Sequence, residues 1–217
     1  MNDDQTIEYY QKRAGEYEKI YFRDNPARQS ELAEMYALSR RVLADRQVLD
    51  LACGTGFWTR IVSERARSVT AIDINPAMLA EAGKKRYQVP IHFVRADYFY
   101  PPFLSARFDA LLASFVVSHI RRQEINRVRD VVRRTVRPGS PAFLCDNNLI
   151  CEIIPELIWD EEHINSYKTR RLENGEEYVI LKNYFDRREL ESLFQSWGRI
   201  EQIMFKDYYW AVVLTVR

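Results

Sequence analysis

The sequence predicts an α/β domain: a mainly parallel sheet with helices on both faces. Three observations carry this. Val48-Leu49-Asp50-Leu51-Ala52-Cys53-Gly54-Thr55-Gly56-Phe57-Trp58-Thr59 reads as a short apolar strand, a tight glycine turn and the start of a helix. Its apolar run is near-continuous, as expected of a strand buried on both faces. A second strand, Val69 to Ile72, ends on Asp73, roughly 20 residues after the turn, the spacing of a nucleotide-binding βαβ unit. Strand-like and helical segments then alternate, and the chain closes on an antiparallel pair.

Gly54 and Gly56 allow positive φ and a close backbone approach where a Cβ would intrude. A turn at the carboxyl edge of a parallel sheet is where such folds bind nucleotides. Dinucleotide sites require G-x-G-x-x-G/A, but Thr59 stands at the third small position; a P-loop requires a lysine after the glycines, and none follows. The run Asp50-Leu51-Ala52-Cys53-Gly54-Thr55-Gly56 instead resembles the D/E-x-x-x-G-x-G signature of small-molecule class I S-adenosylmethionine-dependent methyltransferases. The resemblance implies a Rossmann-like seven-stranded sheet. It implies S-adenosyl-L-methionine as cofactor, S-adenosyl-L-homocysteine as product, and cofactor contacts at Asp50, Ala52, Gly54, Thr55 and Gly56.

Ahead of this stretch, Ile7, Tyr10, Ala14, Tyr17 and Ile20 recur at helical spacing and predict a helix over 6–20. The order Tyr9-Tyr10-x-x-Arg13-Ala14-x-Glu16-Tyr17 is also similar to the family's N-terminal segment, which implies cofactor contacts from Tyr10, Arg13 and Tyr17. A second helix is expected from Ala27 to Ala44 after the Asn25-Pro26 break. Beyond the turn, a helix runs from Trp58 to Arg65. Asp73 is placed to accept hydrogen bonds from ribose hydroxyls, and Asn75-Pro76 opens a helix reaching Tyr87. Ile74 and Met78 are either apolar walls for an adenine or plain core. After the strand Ile91 to Val94, the resemblance implies that Asp97 meets an adenine amino group and Tyr98 packs on its ring.

A fourth strand from Phe108 exits at Ala113-Ser114-Phe115-Val116. Enzymes that methylate base amino groups carry Asn/Asp-Pro-Pro-Tyr/Phe here, so the departure argues against that chemistry. Ser114 is taken as a cofactor contact. His119 matches a histidine common in this loop, and with Tyr10 it is the catalytic candidate, as a general base or as a structural hydrogen-bonder. A helix from Arg122 to Val136 and Arg137-Pro138-Gly139 lead to a fifth strand, Pro141 to Cys145. Asp146-Asn147-Asn148 resembles the Asp-Asn pair of metal-dependent O-methyltransferases, but Ser114 stands where those carry an aspartate, and no metal is expected.

Residues 149–185 depart from the minimal fold and are read as a cap, with a hairpin around Asn174-Gly175. The expected organisation is therefore 1–148 for N-terminal helices plus cofactor core, 149–185 for the cap, and 186–217 for a closing helix and hairpin of the same domain. Composition fits one domain: 47% apolar, 29% charged and a net charge of +1, with no global field toward nucleic acid or anionic membrane. Cys53, Cys145 and Cys151 make no disulfide framework, and no apolar run approaches the ~18 residues of a membrane span. The expectation is a soluble cytoplasmic enzyme methylating O or N of a small molecule, with nucleic acid disfavoured as partner and a homodimer left open. RNA or lipid head-group methylation, a non-catalytic S-adenosylmethionine-binding module and a NAD-dependent oxidoreductase remain the alternatives.

Overall fold

The computed structural model describes residues 4–150 and 155–217. Met1 to Asp3, Cys151, and the Ile153-Ile154 start of the apolar run in the cap reading lie outside the described residues. The chain runs α1 (Asp4–Arg13), a 3-10 segment (Ala14–Phe22), α2 (Pro26–Val42), β1 (Gln47–Leu51), α3 (Phe57–Ser63), β2 (Ser68–Asp73), α4 (Pro76–Gly83) and β3 (Ile91–Arg95). It continues through β4 (Ala110–Ser114), α5 (Ile125–Thr135), β5 (Pro141–Asn147), β6 (Leu157–Trp159), β7 (Ser166–Arg171) and β8 (Glu177–Leu181). It ends with α6 (Arg187–Gln195), β9 (Gly198–Phe205) and β10 (Tyr209–Val216).

Seven strands form one sheet in the order β3-β2-β1-β4-β5-β10-β9. The first five are parallel, and β10 lies antiparallel between β5 and β9. Strand order reverses between β1 and β4, where Val48 pairs with both Val69 and Ala110, which opens a crevice at their carboxyl ends. Two apolar layers sandwich the sheet. On one face Val128 and Val132 of α5 pack with Leu190 and Phe194 of α6; on the other, Leu32 and Met35 of α2 pack with Trp58 and Ile61 of α3. In α2, α5 and α6 these contacts come from residues three or four apart, so one stripe is buried and the polar side is left to water, whereas α3 is buried all round except at Arg60. The α6 start is set by a capping box, in which Asp186 accepts from the Glu189 amide at 2.8 Å and Glu189 accepts from the Asp186 amide at 2.7 Å.

The segment after β5 forms a separate antiparallel sheet, β6-β7-β8. Strand β8 is its edge, and α1 covers it: Thr6 Oγ1 and Gln5 Oε1 accept from the Leu181 and Val179 amides at 3.3 Å. Tyr9 is buried there with Tyr178 and Ile180. An edge that would otherwise offer free amides is thus closed by the start of the chain.

The expected seven-stranded α/β fold is present, with three local differences. The helix expected over 6–20 is α-helical only to Arg13 and continues as a 3-10 turn, where Ala14, Tyr17 and Ile20 stack at three-residue spacing. The helix expected to reach Tyr87 stops at Gly83, and Tyr87 folds back to donate to the Ala82 carbonyl at 2.8 Å. The short strand β6 had no period long enough to announce it.

Gly54 and Gly56 both lie at positive φ, but a Cβ at Gly54 meets open space while one at Gly56 overlaps Tyr87 Oη and lies 3.0 Å from Ala82 Cβ. Gly54→Ala is expected to cost about 1 kcal/mol of folding stability, from backbone strain alone. Gly56→Ala should cost about 2–3 kcal/mol, because packing is displaced as well. Urea unfolding of the two variants side by side checks this; equal midpoints would contradict it.

Candidate functional site

The β1–α3 turn is the floor of the site. Ala52 and Gly54 both adopt left-handed backbone, at φ 60° and 56°, and on the neighbouring strand Phe115 does the same at φ 56° just after β4. Two non-glycine residues in this region, at the ends of adjacent strands, are strain that surrounding contacts must hold. The holding contacts are visible. The Cys53 amide donates to the Ile72 carbonyl at 2.8 Å, and the Gly54 amide donates to Asp73 Oδ2 at 2.8 Å. Asp73 Oδ1 accepts from the Asn75 amide at 2.8 Å, so one carboxylate ties the turn to the start of α4. Burial raises the Asp73 pKa, opposed by the Asn75, Gly54 and Ile74 amides.

Asp50 lies beneath this floor, fully buried, and accepts from Thr59 Oγ1 at 2.5 Å. Among the described residues its Oδ1 has no hydrogen-bond partner, and burial pushes its pKa up to about 7 against the Thr59 hydrogen bond. Thr55 turns upward, donating to Glu18 Oε1 at 2.7 Å, and Glu18 also pairs with Lys85 at 2.9 Å. The 3-10 segment is thereby latched to the glycine turn.

Above the floor is a cavity of about 360 Å³. Of the residues singled out from sequence, it gathers Ala52, Gly54, Thr55, Asp73, Ile74 and Met78 from the first half of the sheet edge. It also gathers Asp97, Tyr98 and Ser114 from further along that edge, and Tyr10, Tyr17 and His119 from its far side. Asp50 and Gly56 are not on its wall, and Arg13 is not either. Asp97 doubles as a turn residue, accepting from the Phe99 amide at 2.8 Å. The roof comes from α1 and β8 through Thr6, Ile7 and Leu181. None of the three was readable from sequence as lining a site, because each sits in an ordinary amphipathic pattern. Phe115 and Tyr21 were also missed; Tyr21 stacks on Phe57 with ring centres 3.9 Å apart.

A second cavity of about 250 Å³ adjoins the first and shares Tyr10, Tyr17, Tyr21, Phe115 and His119 with it. These five side chains stand between the two spaces. Arg13 lines this second cavity, with Arg23, Arg28, Lys168, Arg170 and Lys182. Sequence reading missed the last five, which come from three separate stretches. The one signal available was Lys182, a cation directly after the apolar run Val179-Ile180-Leu181.

His119 is held at both ring nitrogens. Its Nδ1 lies 2.6 Å from the Leu181 carbonyl, which can only accept, so Nδ1 carries the proton and Nε2 accepts from the Tyr10 hydroxyl at 2.8 Å. Burial, then the nearby Lys182 ammonium, lowers the His119 pKa to about 3. Lys182 itself donates to Ser118 Oγ at 2.7 Å and to Asp146 at 3.0 Å, and Ser118 donates to Asp146 from both its amide and its hydroxyl. Burial alone would raise the Asp146 carboxyl; the Lys182 ammonium outweighs it and keeps Asp146 ionised. The carboxylate that resembled a metal ligand is thus engaged by a lysine, a serine and Asn147. Among the described residues no helix is long and apolar enough to cross a membrane.

Residues 48–139 match a family described as a methyltransferase domain. A malonyl-[acyl-carrier protein] O-methyltransferase of Enterobacter lignolyticus is 34% identical over 145 residues, which is 62% of this chain and 54% of that one. A demethylmenaquinone methyltransferase of Tropheryma whipplei is 33% identical over 108 residues, 48% of this chain and 43% of that protein. The chain therefore spans about half the length of the curated relatives it matches. A solved structure described as a DhpI-SAM-HEP complex superposes with a TM-score of 0.76 at 25% identity, covering 97% of this chain and 96% of the other.

His119 gives a pH prediction with a definite sign. Its pKa is depressed from 6.5, so below that pH the unfolded chain binds a proton that the native state refuses, and this group costs stability progressively down to about pH 3. The His119 ring resonances in the folded protein are expected to stay those of neutral imidazole from pH 8 to pH 5 by NMR. A titration midpoint near 6.5 would show that the Tyr10 and Leu181 contacts do not hold the ring.

Proposed function

We propose that the chain is an S-adenosylmethionine-dependent methyltransferase that methylates O or N of a small molecule, a reading supported by the methyltransferase-domain match over residues 48–139 and by the class I methyltransferase fold of the sheet. The observation that carries the reading is the shared wall of Asp73 and Gly54: a buried carboxylate beside a glycine whose missing Cβ leaves open space on the cavity. Together they suit an adenosyl ribose, with hydroxyls donating to Asp73 and the sugar edge lying on the glycine turn. A dinucleotide fits less well. Thr59, at the position where that class needs a small residue, is buried with its hydroxyl donated to Asp50.

Bound there, S-adenosylmethionine supplies a methyl group on a positively charged sulfur, open to in-line displacement. The protein's part is to bind, align and exclude water. Asp97 takes the adenine amino group, with Tyr98, Ile74 and Met78 as apolar walls. Ala52, Ser114 and Tyr17 lie along the path toward the methionine end. Asp50 and Gly56 act from behind, as positioning residues: Asp50 holds Thr59 at the start of α3, and Gly56 lets α3 approach α4. Thr55, through Glu18, keeps the N-terminal segment closed over the turn. Tyr10 stands at the partition between the cavities, and His119, whose lone pair already accepts from the Tyr10 hydroxyl, orients it.

Asp73→Ala is expected to weaken S-adenosylmethionine and S-adenosylhomocysteine binding by about 10–100-fold, or about 1.5–3 kcal/mol, through loss of charge-assisted hydrogen bonds. Calorimetric titration of wild type and variant, with circular dichroism to establish that the variant is folded, measures it. Affinity unchanged in a folded Asp73→Ala, or wild-type binding of NAD instead, would bring the reading down.

A further inference from the structure

We propose that the second cavity is the acceptor site and takes a small acid whose anionic oxygen receives the methyl group. This rests on the methyltransferase reading above and adds the substrate class to it.

The first support is charge. Arg13, Arg23, Arg28, Lys168, Arg170 and Lys182 line this cavity, and among the described residues no aspartate or glutamate does. Lys168 pairs with Glu156 at 2.5 Å and Lys182 with Asp146 at 3.0 Å. Among the described residues, none of the four arginines forms an ion pair. The chain as a whole has 32 Lys and Arg against 31 Asp and Glu, so this excess is local rather than compositional. The crowding is felt: the Arg23 pKa is lowered by burial first, and then by Arg28, Arg170 and Arg13. Collecting like charges around a void costs free energy, which an anion placed among them offsets.

The second support is the rest of the wall. Phenols from Tyr184 and Tyr209 and the side chain of Asn147 add hydrogen-bond donors, and Arg28 stacks 4.3 Å over the Tyr208 ring, which fixes its planar fork. Donors without competing carboxylates are the recognition chemistry of a carboxylate or a phosphate-type oxyanion. At about 250 Å³ the space suits a small acid.

The third is the reaction. A lone pair on the anionic oxygen forms the new O–CH₃ bond as the C–S bond breaks, and the bonding pair goes to sulfur. The sulfonium becomes a neutral thioether, the acceptor loses one negative charge, and no proton moves. No base is required, in keeping with a His119 whose lone pair is already engaged by Tyr10. The ester produced carries less charge than the acid, so the same cations hold product more weakly than substrate.

Calorimetry on the protein with and without saturating S-adenosylhomocysteine tests this. The probes are inorganic phosphate and glycerol 3-phosphate in one arm, malonate and acetate in the other, and glycerol as the neutral control. At least one acid arm is expected to bind, weakening as salt rises, with glycerol silent; the arm that binds identifies the oxyanion. Arg28→Gln and Arg170→Gln should each weaken that binding by about tenfold or more while leaving S-adenosylhomocysteine affinity within about twofold. Anions binding no better than glycerol, with S-adenosylhomocysteine bound normally, would overturn this inference alone. Loss of S-adenosylhomocysteine affinity in the two variants would also overturn it, by assigning the cations to the cofactor's own carboxylate. Failure of S-adenosylhomocysteine to bind wild type would bring down the methyltransferase reading, and the acceptor assignment with it, even if the acids still bound.

Discussion

The Asp73 carboxylate is the constraint on which the sheet edge depends. It sits at the end of β2, is largely buried, and has its two oxygens occupied by the Gly54 and Asn75 amides. A buried carboxylate is costly unless donors surround it, so the turn must bring its amide to this point and nowhere else. That demand is what holds Ala52 in the left-handed region and requires glycine two residues later. The lone pairs left over face a cavity wall, where only a donor can satisfy them.

Around this fixed point the structure is assembled from both ends of the chain. The 3-10 segment is latched to the turn through Thr55 and Glu18, while α1 closes the edge of β8 with side-chain acceptors. The roof of the site is therefore not a single element but a contact between the first helix and the inserted sheet. Two cavities of different character follow. The first mixes Asp73, Asp97 and Glu124 with Arg121 and Arg127, and the second is ringed by cations. Among the described residues, the tyrosines, Phe115 and His119 stand between them.

Much of the fold was legible because its signals were local and strong. Val48 to Leu51 is a near-continuous apolar run, Asn75-Pro76 opens a helix, and Asn174-Gly175 marks a turn. The floor of the site was legible for the same reason, since Asp73 ends β2 and Gly54 and Asp97 closely follow the ends of β1 and β3, in the places that a nucleotide fold uses. The roof and the cationic wall were not. Thr6, Ile7 and Leu181 meet only because an edge strand and a distant helix pair, and Arg23, Arg28 and Arg170 converge from separate stretches. Arg13 was read with the wall of the first space and lies on the second. Spacing along a chain reports the faces of single elements and says nothing of which elements will face each other.

The cations and the histidine bear on one another. Desolvation disfavours an imidazolium at His119, and the Lys182 ammonium disfavours it further. Burial lowers the Lys182 pKa in turn, and Asp146, whose carboxylate accepts from the Ser118 and Asn147 amides, opposes that shift. Burial first, and then the charge arrangement that makes the second cavity attractive to an anion, disfavours a proton on the histidine at the partition. An acceptor that must lose a proton in the reaction finds no ready base here. An acceptor that arrives as an anion needs none, and the same positive field holds its oxygen in place for the displacement.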